Sequence, residues 1–269
     1  MRVLNNGAQR ASRRPRSGRL LALFASILAL FVLISLPATA SAASIKVVIV
    51  VGPVEGSTAK YISDARTLAA QARRYGANVI EIYSPRATWF KVKKAAQGAN
   101  IFIYLGHGNG SPSPYPYSTA TKNGVGLNRL AGHGNSNVKY YGSAYIKLIR
   151  MAPNSVVILN HLCYSAGNSE PGRAAPSPSV ARQRIDNYGS SFLRTGARAV
   201  FAEPKGSAGY ILTGLFTTSK SMREIFVSHG SWTVAFKSSK TPGATIIARP
   251  TVRSVTGFLN VTATDFLGG

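Results

Sequence analysis

Cysteine is almost missing from this chain: Cys163 is the only one in 269 residues. An internal disulfide framework is therefore excluded, and so are the paired-cysteine spacings of structural zinc sites. Acidic residues are nearly as scarce, with eight Asp and Glu against 32 Lys and Arg and a formal net charge of +24. Neither HExxH nor G-x-S-x-G occurs, which removes the usual local signatures of zinc peptidases and α/β serine hydrolases. No run of five or six basic residues is present, and no basic stripe interleaves with stacking aromatics, so the sequence argues against nucleic-acid recognition. Internal repeats are also lacking, and nothing in the pattern calls for a cofactor or a metal.

What is there begins with the N-terminus. Met1 to Arg19 carries six arginines and no acid, and Leu20 to Leu36 is apolar apart from Ser26 and Ser35. Pro37 breaks the run, and Ala38-Thr39-Ala40-Ser41-Ala42-Ala43 supplies small residues. Basic, apolar, then small is the order of an export signal, so residues 1–43 are read as one. The weaker alternative is an uncleaved membrane anchor, since the apolar run nearly spans a bilayer. Removal of residues 1–43 takes six basic residues with it and leaves 226 residues with 26 bases beside eight acids, a net charge of +18. The expected location is outside the cell or at its surface, where such a surface is drawn to anionic wall polymer or membrane headgroups. A lone cysteine in an exported protein is a reactive thiol, an inter-chain cross-link or a small buried hydrophobe.

Along residues 44–269, apolar runs alternate with helical patterns, which predicts a mostly parallel sheet flanked by helices in a single α/β domain. Strands are expected at 44–51, 78–83, 100–105, 155–162 and 197–202. Helices are expected at 57–75, 88–97, 140–151, 180–193 and across 207–227. Residues 109–138 are punctuated by Gly and Pro and read as an irregular loop, of the length that usually carries function. The core spans about 44–229, and 230–269 reads as a short β-rich C-terminal segment.

Two of these strands end in chemistry. Asn100-Ile101-Phe102-Ile103-Tyr104-Leu105 runs into Gly106-His107-Gly108, and Ser155-Val156-Val157-Ile158-Leu159-Asn160-His161-Leu162 runs into Cys163-Tyr164-Ser165-Ala166-Gly167. In an open parallel sheet, chemistry collects at the carboxyl ends of the strands. A histidine and a thiol delivered there form a nucleophile–base pair. Glycine after the histidine lets a backbone N–H approach a substrate carbonyl, and the Cys163 amide is the natural second donor.

These residues resemble the caspase–legumain–gingipain clan of cysteine peptidases and its bacterial secreted caspase-like relatives. The likeness rests on the apolar strand into His107-Gly108 and the later apolar strand into Cys163. The small-residue turn Tyr164-Ser165-Ala166-Gly167 and the glycine-led run Gly196-Ala197-Arg198-Ala199-Val200-Phe201 are similar to the clan as well. The resemblance covers roughly Ser44 to Val227, by order of elements rather than residue identity. It implies a caspase-like sheet and a polypeptide substrate. Cys163 would then be the nucleophile, His107 the acid/base, and the Gly108 and Cys163 amides the oxyanion hole. One departure is Leu162, where clan members commonly place a small residue. A degenerate, non-catalytic member binding wall polymer or protein is the alternative.

Other residues compete for roles near this pair. His161, two residues before Cys163, is a candidate orienting group on the same strand face. Glu170 and Glu203 are candidates for a substrate pocket that reads an Arg or Lys side chain, and Asp186 lies on the helix between them. Each has a blander reading: Glu170 paired with Arg173, and Glu203 with Lys205, at the surface. Gly132-His133-Gly134-Asn135 repeats the tetrapeptide at Gly106, yet no apolar strand precedes it, so His133 reads as a turn residue. His229 reads as a helix C-terminal residue favoured by the dipole.

Overall fold

A computed structural model describes residues 44–268; the expected export signal lies outside them. The chain opens with β1 (Lys46–Val51), α1 (Thr58–Arg74), β2 (Asn78–Tyr83), α2 (Trp89–Ala96) and β3 (Ile101–Leu105). A hairpin of β4 (Val125–Asn128) and β5 (Val138–Tyr141) follows, then α3 (Ser143–Ile146), β6 (Val156–Asn160), α4 (Pro178–Leu193) and β7 (Ala199–Glu203). Helices α5 (Gly209–Thr217) and α6 (Met222–Val227) precede β8 (Val234–Lys237), β9 (Thr245–Arg249), β10 (Arg253–Gly257) and α7 (Ala263–Leu267).

The main sheet runs in the order β2-β1-β3-β6-β7-β10-β9-β8. Strands β2, β1, β3, β6 and β7 are parallel, and β10, β9 and β8 extend them antiparallel. The fold is thus α/β, with a large, mostly parallel mixed sheet and a separate two-stranded antiparallel sheet. Continuous apolar strands are required because both faces are covered. Val47, Ile49 and Val51 belong to a buried cluster that includes Ala65, Leu68, Ala69 and Ala72 of α1 and residues of α5 and α6. Val48 and Val50 face the other way, into a second buried cluster that also holds Val92 of α2, Tyr188 and Phe192 of α4, and Val125 and Leu127 of the hairpin. Each such fully buried Val or Ile side chain contributes roughly 1.5–3 kcal/mol by leaving water.

Helix boundaries follow local chemistry. The buried stripe of α1 recurs at helical spacing, and Gly76 follows its end. Ser177 caps α4 by accepting from the Val180 amide, with Pro178 in the first turn. Capping boxes start α6 (Ser221 with Glu224) and α7 (Thr262 with Asp265).

Five elements differ from expectation. The loop at 109–138 contains β4 and the start of β5, and β5 takes over the beginning of the helix expected at 140–151, leaving only Ser143–Ile146. The cause is Tyr141, which is buried in the hairpin and stacks on Trp89 at 5.2 Å. Strand β6 ends at Asn160 rather than Leu162, because His161 turns out with a left-handed φ of 61°. The 207–227 segment divides into α5 and α6, and the C-terminal segment adds α7 to its strands. Among the described residues no helix is long and apolar enough to cross a membrane.

Candidate functional site

Strands β3 and β6 are parallel neighbours, with Leu105 opposite Asn160. His107 and Cys163 therefore leave the carboxyl ends of adjacent strands, on one edge of the sheet. Sheet order reverses between β1 and β3, so His107 also stands beside the switch point where open α/β sheets form their crevice. The His107 carbonyl accepts from the Gly126 amide at 3.1 Å, and Gly126 is itself held by the buried Tyr104 hydroxyl. The hairpin thus fixes the backbone of His107.

Gly108 is packed against the cysteine turn. A β-carbon there would overlap the Cys163 carbonyl oxygen, so only glycine allows the two turns to touch. Among the described residues neither the Gly108 nor the Cys163 amide donates to a protein acceptor. The His107 ring likewise has no protein hydrogen-bond partner among them.

A buried framework joins the two turns. The Tyr188 hydroxyl on α4 accepts from the Asn109 amide at 2.9 Å and donates to the Gly124 carbonyl at 3.0 Å. The buried ammonium of Lys122 donates to Asn109 Oδ1 at 2.7 Å and to the Ser113 hydroxyl. Arg184, one turn before Tyr188, donates to the Pro112 carbonyl at 2.7 Å on the His107 side. On the Cys163 side it donates to the Asn168 carbonyl at 3.2 Å and Ser169 Oγ at 3.1 Å. Its guanidinium also lies 4.8 Å from the Tyr164 ring centre. Sequence reasoning did not single out Arg184, Tyr188 or Lys122. The available signal was a charged residue within the apolar stripe Ala181, Ile185, Tyr188 and Phe192 of a helix.

Cys163 lines a cavity of about 490 Å³ together with Tyr61, His161, Asn168, Glu170 and Arg173. Burial, and secondarily the charge of Glu170, pushes the thiol up to about 11. Burial lowers the His107 pKa, although Glu55 and Glu170 pull it upward. Both groups are therefore neutral at rest, without a preformed thiolate–imidazolium pair.

The other candidates separate clearly. His161 does line the cavity, but not as a strand residue. Its Nε2 lies 3.3 Å from Asp64 Oδ2, and its ring stacks on Tyr61 at 4.8 Å. Burial lowers its pKa despite Asp64. With its ring so engaged, His161 braces the cysteine turn, and its amide donates to the Glu203 carbonyl at 3.1 Å. An adjoining cavity of about 260 Å³ shares His161 and Lys205 as its wall.

Glu170 faces the cavity. Its Oε2 accepts from the Tyr115 hydroxyl at 2.9 Å and lies 4.0 Å from Arg173 Nε. Glu203 does not line the cavity. Its carboxylate is buried against Arg253 Nε at 3.2 Å and the Tyr210 hydroxyl at 2.6 Å, rather than paired with Lys205. Burial raises its pKa, opposed by those two partners. Asp186 is also buried elsewhere, accepting from Ser190, Ser238 and Ser239. His133 is exposed in the turn of the β4–β5 hairpin, and His229 stacks on Tyr210 at 3.8 Å. No cluster of three metal-ligating side chains occurs among the described residues.

Comparison with protein-family models finds no match to this chain, and a search of curated proteins finds none either.

Proposed function

We propose that this chain is an exported cysteine endopeptidase with a caspase-like sheet, in which Cys163 is the nucleophile and His107 its base. One observation carries the reading: the two residues leave adjacent parallel strands at one sheet edge, with Gly108 packed on the cysteine turn. Of the two candidate histidines His107 and His161, His161 is engaged by Asp64, and the reading assigns proton transfer to the His107 ring.

In this scheme Cys163 Sγ attacks the peptide carbonyl carbon while its proton passes to a ring nitrogen of His107. The resulting oxyanion accepts from the free Gly108 and Cys163 amides. The C–N bond then breaks, and the imidazolium returns the proton to the leaving amine. Water attacks the thioester carbonyl and gives one proton to His107, which restores the thiol as the acid product leaves. Because the resting pair is neutral, proton transfer accompanies attack instead of preceding it. General-base assistance of this kind contributes roughly 10²–10⁴-fold, and each oxyanion donor about 10²–10³-fold.

One observation favours a second reading, a non-catalytic module binding anionic wall polymer or protein through its basic surface. A thiol pushed up to about 11 holds very little thiolate at neutral pH. A thiol-reactive peptidyl probe, with the adduct mapped by mass spectrometry, separates the two. Labelling at Cys163 that requires His107, with turnover of a fluorogenic peptide lost in Cys163→Ala, supports the enzyme. Turnover that survives Cys163→Ala removes it.

A further inference from the structure

The turn Glu170-Pro171-Gly172-Arg173 carries an acid and a base into the cavity that Cys163 lines. The turn is closed by the Arg173 amide donating to the Glu170 carbonyl at 3.1 Å, and Gly172 supplies the positive φ of 76° that it needs. A second bond, from the Ser169 hydroxyl to the Ala174 carbonyl at 2.8 Å, braces it from outside.

The two side chains are not equally fixed. Glu170 is about three-quarters buried and receives the Tyr115 hydroxyl from the segment after His107. A tyrosine from the loop after His107 therefore aims this carboxylate. Arg173 is the reverse: its side chain is 59% exposed, and its 4.0 Å approach to Glu170 is an electrostatic contact without a hydrogen bond. A guanidinium entering from solvent and meeting the carboxylate side-on, with two N–H···O bonds, would outcompete that contact.

We propose that the cavity is a guanidinium-binding site with Glu170 as its anion and Arg173 as a resident internal occupant. A ligand cation must displace Arg173 before it binds. This rests on the reading of the cavity as the substrate-binding side of Cys163, and it makes the turn a built-in brake on basic substrates.

Benzamidine serves as the probe, with the full chain and two readouts. Calorimetry gives its affinity, and protection of Cys163 from iodoacetamide places it in this cavity. Neither readout needs turnover. Exposed ion pairs contribute up to about 1 kcal/mol, so Arg173→Gln is expected to tighten benzamidine by roughly two- to fivefold. Glu170→Gln is expected to weaken it by about tenfold or more, as loss of a charge-assisted pair. Unchanged or weaker binding by Arg173→Gln overturns the proposal. Binding that survives Glu170→Gln, binding that leaves Cys163 unprotected, or no binding to any variant does the same. If benzamidine behaves as expected while no peptide is hydrolysed, the peptidase reading fails and the cavity assignment stands.

Discussion

The Tyr188 hydroxyl stands against Gly108, where a β-carbon would lie 2.8 Å from it. That single oxygen also serves the Asn109 amide and the Gly124 carbonyl, inside a fully buried side chain. The position of the turn after His107 is thus set by a residue of α4, which follows Cys163 in the chain.

Tyr188→Phe should leave both backbone groups without their partner. Each buried polar group left unsatisfied costs roughly 1–3 kcal/mol. Urea unfolding is expected to show a loss in that range or above, with little change in the slope. A variant as stable as the parent would show that the hydroxyl is not holding the turn.

Arg184 bridges the two turns with a planar fork, and lysine cannot reproduce that geometry. Arg184→Lys is expected to lower peptide turnover nearly as far as Arg184→Met, with both variants folded by circular dichroism. Full activity in Arg184→Lys would reduce its role to charge alone.

Reactivity of Cys163 toward iodoacetamide should climb steeply above pH 9 in the free protein, because the thiol is pushed up to about 11. Glu170 contributes to that rise through its negative charge, so Glu170→Gln should move the profile to lower pH. A profile with a neutral midpoint would reveal an activated thiolate that burial should prevent.

Acid should destabilise the fold before most carboxylates titrate. His107 and His161 both have pKa values lowered by burial, so below about pH 6.5 the unfolded chain binds protons that the folded chain refuses. Stability is present above that pH and is lost as pH falls toward the lowered values. Glu203 acts in the opposite sense, with a raised pKa, but only closer to its own titration range. Melting temperature is expected to drop between pH 7 and pH 5.5, and less so in His161→Gln. A flat profile over that interval would contradict the burial argument.

Cys163→Ala and His107→Ala should each abolish turnover, with the double variant little worse than either, since a nucleophile and its base act as a unit. Additive losses in a peptide assay would mean that the two residues work separately.

Local sequence determined the elements that must be dry on both faces. Val47–Val51, Ile101–Leu105 and Val156–Asn160 are legible as buried strands because only continuous apolar runs satisfy a sheet covered on each side. The glycine after His107 was expected to admit a substrate carbonyl, whereas the contact the structure adds is with the Cys163 carbonyl oxygen, which no local pattern announces. Neighbour relations were not legible. That β3 lies beside β6, although residues 106–155 separate them, depends on how the intervening crossover packs. The hairpin stayed hidden because its four-residue strands are held by Tyr104 from β3 and Trp89 from α2, not by their own pattern. Glu170 and Glu203 looked alike in sequence, each an acid after a strand end and near a base. Only the tertiary structure turned one into the cavity and buried the other against Arg253, 50 residues later, because a buried carboxylate goes where a partner can compensate its lost hydration.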